Sequence, residues 1–503
     1  MIKNQVVAIS DIHIGTGVPT VWYQPAVHDP YLSAILNWVL TTSDSIQELI
    51  LLGDIFDFWT YPPDAKPPPL NDIIKANPAI LGKNGLLHKV VTKLNGAVTL
   101  MLGNHDGLIS DEEFKDLQSQ IGPVKLGAPV LTLTGSGGLR TTFAHGHAWT
   151  MFNAPDSHSP KPSGWKSLPV GHFVTRAFAY QMSQTLKPGQ TVADLPNQGA
   201  PNGLDLYTFL KSIEPPFSTD LVTLLLNYVS KVTGLDQNAS IKMADGSVTS
   251  IKQAKQVYAD LFTWWAEELG SAWQASRAAL ADQWGDHLAW FAQQLAMQTN
   301  SDLVVFGHTH TPIGGIAPSP VNYVNSGFEC PSLPDMPPKE PTFTVVDLNT
   351  VSAQIFQVRK QQEQYVIENC PAPIITPIVK PGMDYSCYCT IENQSSDDLT
   401  LIKPVPEPTR GWWAVPPIDD VPAGSRRRFW LQDNPGPYGS EGKFSYNQGG
   451  KRLDFALNCP TGPHCNTVSS PVGDFCAKSG SGGWQYRSVP CWHHPLQVWF
   501  QVK

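Results

Sequence analysis

The sequence predicts an α/β fold of layered sheets flanked by helices, followed by a separate all-β domain. Three observations support this. Short apolar runs ending in polar clusters recur through the first 350 residues, a helical periodicity occupies much of 150–300, and β-prone segments without helical periodicity follow from 383. Because 503 residues exceed one ordinary domain, we expect an α/β domain at 1–350 with a mostly helical insertion at 150–300, a linker or extended segment at 351–382 and a β-sandwich at 383–503.

The apolar runs of the first part are short and rich in Val, Ile and Leu, which is typical of buried strands. Polar clusters follow five of them at once. Ligands gather beyond the carboxyl ends of strands in such sheets, because the loops converge there. The five runs are Val6–Ser10, Glu48–Leu52, Val98–Leu102, Thr141–Ala144 and Leu303–Phe306.

The insertion contains apolar residues spaced by three, four or seven between 255 and 298, which predicts one long helical segment with a single apolar face. We expect this face to pack onto the core, and a wall facing a substrate is the alternative. The residues of the face are Leu261, Trp265, Leu269, Trp273, Leu280, Trp284, Leu288, Phe291 and Leu295.

The net charge and the cysteine content limit the classes of partner and the cellular locations to be expected. A net charge of -9 argues against a nucleic-acid polymer as partner. All eight cysteines lie between Cys330 and Cys491, which favours a disulfide-bonded C-terminal domain and an extracellular or periplasmic location, with free buried thiols as the alternative. The amino terminus enters a strand at once and shows no signal peptide, and no run of about 18 apolar residues predicts a membrane span.

The polar clusters carry carboxylate, amide and imidazole groups, which are ligands for divalent metals. Among 14 histidines, some His-x-His pairs are expected by chance. Five such polar clusters, all at strand ends, make a merely structural role for these side chains improbable. The clusters are Asp11-x-His13, Gly53-Asp54, Gly103-Asn104-His105-Asp106, His145-Gly146-His147 and Gly307-His308-Thr309-His310.

This series of motifs resembles the calcineurin-like metallophosphoesterase superfamily over roughly residues 5–348, although most of 150–300 has no counterpart. The resemblance implies two divalent metal ions, with manganese expected first and iron, zinc or cobalt as alternatives. Asp54 would bridge the ions. The resemblance assigns Asp11, His13 and His310 to one ion, and Asn104, His145 and His308 to the other.

The same resemblance implies hydrolysis of a phosphate ester through attack by a metal-activated hydroxide. His105 would protonate the leaving group, Asp106 would hydrogen-bond the other ring nitrogen of His105, and His147 would face the substrate. We expect a phosphodiester of a lipid or a nucleotide, and a phosphomonoester is the alternative.

Two further resemblances bear on the substrate. The segments "ISDIHIG" and "LGDIFDFW" are similar to enzymes that hydrolyse UDP-diacylglucosamine, but those enzymes have arginine where this chain has His105. The C-terminal domain faintly resembles aegerolysin-type β-sandwiches, which would suit targeting or substrate gating.

Trp412, Trp413 and Trp430 would then contact a membrane surface, or else fill the sandwich core. A membrane- or glycan-binding protein that keeps the phosphoesterase fold only as a scaffold is the alternative function.

Overall fold

The fold comes from a computed structural model, which describes residues 3–155, 168–195, 206–213, 217–218, 220–281, 285–328, 341–379, 383–417, 419–434 and 438–503. A seven-stranded sheet organises the first part of the chain. In spatial order its strands are Gln364–Asn369, Ser352–Gln361, Thr342–Asp347, Gln5–Ile9, Ile46–Leu52, Val98–Met101 and Lys125–Leu126. The last four run parallel to one another, and the first three pair antiparallel.

A second, four-stranded sheet packs on the first. Its strands, in spatial order, are Asn322–Asn325, Leu303–Phe306, Arg140–Phe143 and Leu131–Thr134. Alternate residues of the strand Gln5–Ile9 explain the layering, because successive side chains point to opposite faces. Val6 and Ala8 share a buried cluster with Val305 of the second sheet, whereas Val7 and Ile9 pack among helices. The predicted layered α/β fold is confirmed.

Helices cover the outer face of the seven-stranded sheet through a cluster that includes Leu32, Ile35, Val90 and Leu117. They span Pro25–Thr42, Leu70–Ala76, Pro78–Leu81, Leu86–Lys93 and Asp111–Ile121.

The described residues of 150–300 are mostly helical, but the expected long helical segment is interrupted. Gly270 has a left-handed φ of 81° and ends one helix, since glycine adopts this conformation without a Cβ clash. Trp290, which lies off the predicted face, is 1% exposed, and Trp284 lies outside the described residues. The helices are Val170–Thr185, Leu206–Ile213, Leu221–Thr233, Ile251–Val257, Leu261–Glu268, Ala272–Ala281 and Gly285–Gln298; the short strands Ile241–Lys242 and Val248–Thr249 form a hairpin.

The segment predicted as a linker or extended segment, 351–382, contributes strands over much of its length. Ser352–Gln361 and Gln364–Asn369 extend the seven-stranded sheet to its edge, and Ile374–Ile375 pairs with Gly315–Ile316. Phe356 stacks on Phe343 with ring centroids 5.4 Å apart, which holds the added strands on the domain. Up to residue 369 the segment is thus extended edge strand rather than a free linker.

The C-terminal region forms two sheets around one core. Phe429 of the larger sheet contacts Phe444 of the smaller, at a ring-centroid distance of 5.1 Å. The larger sheet contains, in spatial order, Trp412–Val415, Arg426–Gln432, Cys387–Asn393, Leu496–Val502, Phe475–Ser479 and Gln485–Tyr486; the smaller contains Thr400–Leu401, Ser440–Gln448, Lys451–Cys459 and Thr467–Ser469.

One disulfide, Cys465–Cys491, occurs among the described cysteines. The other described cysteines are free thiols, and Cys330 lies outside the described residues. Three of the thiols, Cys387, Cys389 and Cys459, are buried in the sandwich core. The disulfide prediction is thus confirmed for one bridge, and buried thiols account for three other cysteines.

The helix Gly285–Gln298, called the interface helix below, joins the two halves of the chain. The indole nitrogen of its Trp290 donates to Oε1 of Gln432 at 2.9 Å, and its ring lies 5.3 Å from that of Trp430. Trp430 is completely buried there and cannot contact a membrane. No helix within the described ranges combines the length and apolarity needed to cross a bilayer.

Candidate metal centre

The sequence-predicted ligands lie at the carboxyl ends of five strands drawn from both sheets. Asp11 and His13 follow Gln5–Ile9, Asp54 follows Ile46–Leu52, Asn104 follows Val98–Met101, His145 follows Arg140–Phe143, and His308 and His310 follow Leu303–Phe306. Because the two sheets pack face to face, these loops meet at one edge of the sandwich. All the predicted ligands are buried except His310, which is partly buried.

Asp11, His13 and His310 form a first group of donor atoms, all within 4.8 Å of one another. Nε2 of His13 lies 3.1 Å from Nε2 of His310, which in turn lies 3.6 Å from Oδ1 of Asp11. Ligand atoms about 2.1 Å from a common ion are separated by roughly 3–4 Å. The spacing of this group therefore suits one metal ion.

Asp54, His145 and His308 form a second group. Oδ2 of Asp54 lies 3.2 Å from Nε2 of His145 and 4.0 Å from Nε2 of His13, a member of the first group. One carboxylate thus reaches both groups, as a bridging ligand must.

Asn104 adds a neutral oxygen. Its amide nitrogen donates to Oδ1 of Asn153 at 3.3 Å, while its buried Oδ1 has no hydrogen-bond partner among the described residues. A buried carbonyl oxygen without a donor is costly unless something else accepts its lone pairs. A divalent cation fits that position, and the nitrogen and oxygen donors of the centre suit Mn, Fe, Zn or Co.

The backbone of the centre is strained. Five of the predicted ligands have left-handed φ angles between 52° and 72°: Asp11, His13, Asp54, His308 and His310. Such conformations cost about 1–3 kcal/mol each and persist where the surrounding structure over-determines them. Gly307 permits the close approach of two of these loops, since a Cβ there would lie 2.6 Å from Oδ2 of Asp11.

The charges of the centre also favour a cation. Burial, and the nearby carboxylate of Asp54, raise the pKa of Asp11 to about 7. The imidazoles of His145 and His105 hold the pKa of Asp54 well below its usual range despite its burial. Two buried carboxylates this close repel each other, and a metal ion would supply the positive charge that offsets this repulsion.

His105 is not among the predicted ligands, but with His13 and Asp57 it forms a third group of possible ligand atoms within 4.8 Å of one another. Its ring stacks on Trp59 with centroids 4.2 Å apart, and its Nδ1 lies 3.1 Å from Oδ1 of Asp57. Asp54 and Asp57 raise the pKa of His105 against the opposing effect of burial. Its backbone N–H donates to Oδ1 of Asp54 at 2.7 Å.

The predicted bond between Asp106 and His105 is wrong, because the Asp106 carboxylate turns to the backbone. It accepts hydrogen bonds from the N–H groups of Gly103 at 2.6 Å and Ile55 at 2.8 Å. Asp106 therefore shapes the loops that carry Asn104 and Asp54. Asp57 takes the position beside His105, and its place in "GDIFD", three residues after Asp54, was the available sequence signal.

Two other side chains border the centre. Trp22, which the sequence analysis missed, places its ring 4.7 Å from that of His13 and 5.5 Å from that of His105. No motif marks it, and only the folded chain brings it to the site. His147, predicted to face the substrate, lies with its ring 5.2 Å from that of His145, and its buried Nδ1 has no partner among the described residues.

The helical insertion also reaches the centre. His172 in the helix Val170–Thr185 contacts Trp59 edge-on at 5.4 Å, and Thr150 Oγ1 lies 3.2 Å from Nε2 of His308.

No protein-family model matches the chain, and no curated protein matches it. Among solved structures it is similar to Vps29 of Entamoeba histolytica in complex with Zn²⁺, at 10% identity over 73% of this chain and 98% of that one, with a TM-score of 0.28. It is also similar to vacuolar protein sorting 29 of Cryptosporidium parvum, at 9% identity over 73% and 96% of the two chains, with a TM-score of 0.26. A conserved Streptococcus pneumoniae protein described as a predicted phosphoesterase follows, at 9% identity over 74% and 99%, with a TM-score of 0.23. Likenesses this distant carry no argument about function, so the functional assignment depends on the geometry of the site.

Proposed function

We propose that the chain is a metal-dependent phosphoesterase that uses two divalent ions to hydrolyse a phosphodiester. One observation carries the proposal: the carboxylate of Asp54 belongs to one group of donor atoms and lies 4.0 Å from His13 of the other. A pair of ions about 3.5–4 Å apart can clamp a phosphate and activate water for in-line attack. Asp11, His13 and His310 would hold one ion, and Asn104, His145 and His308 the other.

His105 would act on the leaving group. Asp57 holds its Nδ1, which leaves Nε2 to donate a proton to the departing oxygen. Trp59 stacks on the ring and limits its rotation. The raised pKa keeps the imidazole protonated nearer to neutrality, as a general acid requires.

The preference for a diester rests on charge. A phosphodiester carries one negative charge, whereas a monoester carries nearly two at neutral pH. Among the described residues, the hydrogen bonds, ion pairs and ring contacts of Asp11, His13, Asp54 and His310 involve no lysine or arginine. Because these contacts offer no lysine or arginine to hold a second charge, a diester suits the centre better.

The test compares bis(p-nitrophenyl) phosphate with p-nitrophenyl phosphate, using metal-free and Mn-loaded protein. We expect metal-dependent hydrolysis that favours the diester. A preference for the monoester would make the protein a phosphatase. No turnover with any of Mn, Fe, Zn or Co would favour the alternative of a binding protein on a phosphoesterase scaffold. The Asp54→Asn variant controls for contaminating enzymes.

A positive result would justify a screen of lipid and nucleotide diesters. In this proposal the C-terminal domain targets the enzyme to its substrate or controls access to it.

A further inference from the structure

A cavity of about 750 Å³ lies where the C-terminal domain meets the rest of the chain. Its walls come from the loops at 479–482 and 491–495, from residues 376–379, and from Gln293 of the interface helix. This volume is in the range of pockets that bind small organic ligands. None of its lining residues belongs to the metal centre, so the cavity is a separate site.

The loop that carries Trp492 is fixed in place. The disulfide Cys465–Cys491 ties it at the residue before Trp492. The side-chain amide of Asn466 donates to the carbonyls of Pro490 at 2.9 Å and His493 at 3.2 Å. A loop held this firmly presents a preorganised wall, which lowers the entropy cost of binding.

Trp492 gives the cavity an open aromatic face. Its side chain is 54% exposed, and its ring contacts no other aromatic ring or cation among the described residues. An indole half in water keeps one apolar face available to a partner. The indole therefore provides an apolar platform at the mouth of the cavity.

Polar groups of both hydrogen-bonding types line the same cavity. Asp384 offers a carboxylate, oriented by the hydroxyl of Tyr388 at 3.0 Å and the N–H of Ser386 at 2.9 Å. Gln293 is 1% exposed; its Oε1 accepts from Ser319 at 2.7 Å, and its buried Nε2 has no partner among the described residues. A buried donor without an acceptor implies a missing partner.

We propose that this cavity binds a neutral saccharide. Among the described residues that line it there is no lysine or arginine; one carboxylate and three histidines do line it. The carboxylate disfavours phosphate and other anions. A sugar ring offers an apolar C–H face for Trp492 and hydroxyl groups that donate to Asp384 and accept from Gln293. A cationic ligand would suit the carboxylate and the indole but would leave the amide donor of Gln293 unused.

The chain supplies a matched control for the indole. Trp484 lies on the same domain with a similar exposure of 47%, but it does not line the cavity. Its ring instead packs 6.3 Å from that of Trp499, beneath the ammonium group of Lys478 at 5.0 Å. Trp484→Ala removes nearly as much exposed aromatic surface as Trp492→Ala without changing the cavity.

The experiment applies the full-length protein to an array of α- and β-linked glucans, mannans, galactans and chitin oligosaccharides. The best saccharide is then titrated calorimetrically against the wild type, Trp492→Ala, Trp484→Ala and Asp384→Asn. We expect Trp492→Ala and Asp384→Asn each to weaken binding by at least about tenfold, and Trp484→Ala to change it by less than about twofold. Equal melting temperatures for the two tryptophan variants would exclude misfolding as the cause.

Three results would overturn the proposal. The first is the absence of binding to any saccharide on the array. The second is binding of tetramethylammonium that Trp492→Ala abolishes while no saccharide binds. The third is equal loss of saccharide binding in Trp484→Ala and Trp492→Ala, which would place the interaction on the open surface. The phosphoesterase assay uses the other site, so either proposal can fail without the other.

Discussion

Replacing His105 with alanine tests the proposed general acid without removing a metal ligand. The imidazole is 5% exposed between Trp59 and Asp57, and the substitution deletes it. Alanine keeps the backbone N–H that donates to Oδ1 of Asp54 at 2.7 Å. The bridging carboxylate therefore keeps its support, and we expect the variant to bind its metals as the wild type does.

The expected loss of activity in His105→Ala follows from the role of His105 as a general acid. General acid catalysis contributes about 10²- to 10⁴-fold, which is roughly 2.7–5.4 kcal/mol of transition-state stabilisation. This loss should appear with alkyl diesters, whose leaving groups need a proton. Nitrophenolate departs without one, so bis(p-nitrophenyl) phosphate should lose about tenfold or less.

Stability should fall only modestly. Asp57 loses its contact with His105 but still accepts from the N–H of Trp59 at 2.7 Å and the hydroxyl of Thr60 at 2.6 Å. Its buried charge therefore remains hydrogen-bonded. We expect a cost of about 1–3 kcal/mol in the free energy of unfolding, measured by urea denaturation.

The assay measures kcat for an aryl and an alkyl diester, together with metal content by atomic emission. Asp57→Asn serves as a second variant and should show the same dependence on the leaving group in weaker form. Equal losses for both substrates would contradict the general acid role. Loss of both metals from the His105→Ala variant would show that His105 is needed to hold the metal centre.

Three further changes have defined outcomes. Asp54→Asn removes the carboxylate charge that reaches both donor groups, and it should lower metal content and turnover by at least about 100-fold. Emission spectrometry measures the metal content and diester hydrolysis measures the turnover. Full metal occupancy would refute the bridging role. Gly307→Ala adds a Cβ 2.6 Å from Oδ2 of Asp11. The substitution should lower the free energy of unfolding by about 1–3 kcal/mol, measured by thermal unfolding, and should weaken metal binding. An unchanged melting temperature would contradict this prediction. Asp302→Ala leaves Arg428, which is 5% exposed, without its carboxylate partner at 2.5 Å and should destabilise the protein by about 3 kcal/mol. Asp419→Ala, at an exposed ion pair, should cost less than about 0.5 kcal/mol by the same denaturation. Equal losses of stability in the two variants would refute the predicted difference between the buried and the exposed pair.

The layered fold could be predicted because its signals are local. Each ligand cluster directly follows a run such as Leu303–Phe306, so strand and site are read from adjacent residues. The convergence of Asp11 with His310 then follows from where parallel strands end. The strand Ser352–Gln361 was not predicted because its buried apolar residues do not alternate: Ile355 and Val358 are three positions apart and point to opposite faces of the sheet.

Long-range pairings could not be predicted in the same way. His105 is adjacent to Asp106 in sequence, yet it pairs with Asp57, 48 positions away, because the carboxylate of Asp106 is taken up by backbone N–H groups. Trp22 has no motif and reaches the centre only through the path of its loop. The buried position of Trp430 depends on the interface helix, which lies in another part of the chain.

The interface helix makes the two halves of the chain interdependent in unfolding. It leads into the strand that directly precedes His308 and His310, and its other surface contacts the C-terminal sheet through Trp290. Separating the halves would expose two large indoles, Trp290 and Trp430, to water. Heat or denaturant should therefore melt the protein in a single cooperative transition. A protease that releases the C-terminal region would yield two fragments with exposed apolar surfaces, which would aggregate rather than remain as stable domains.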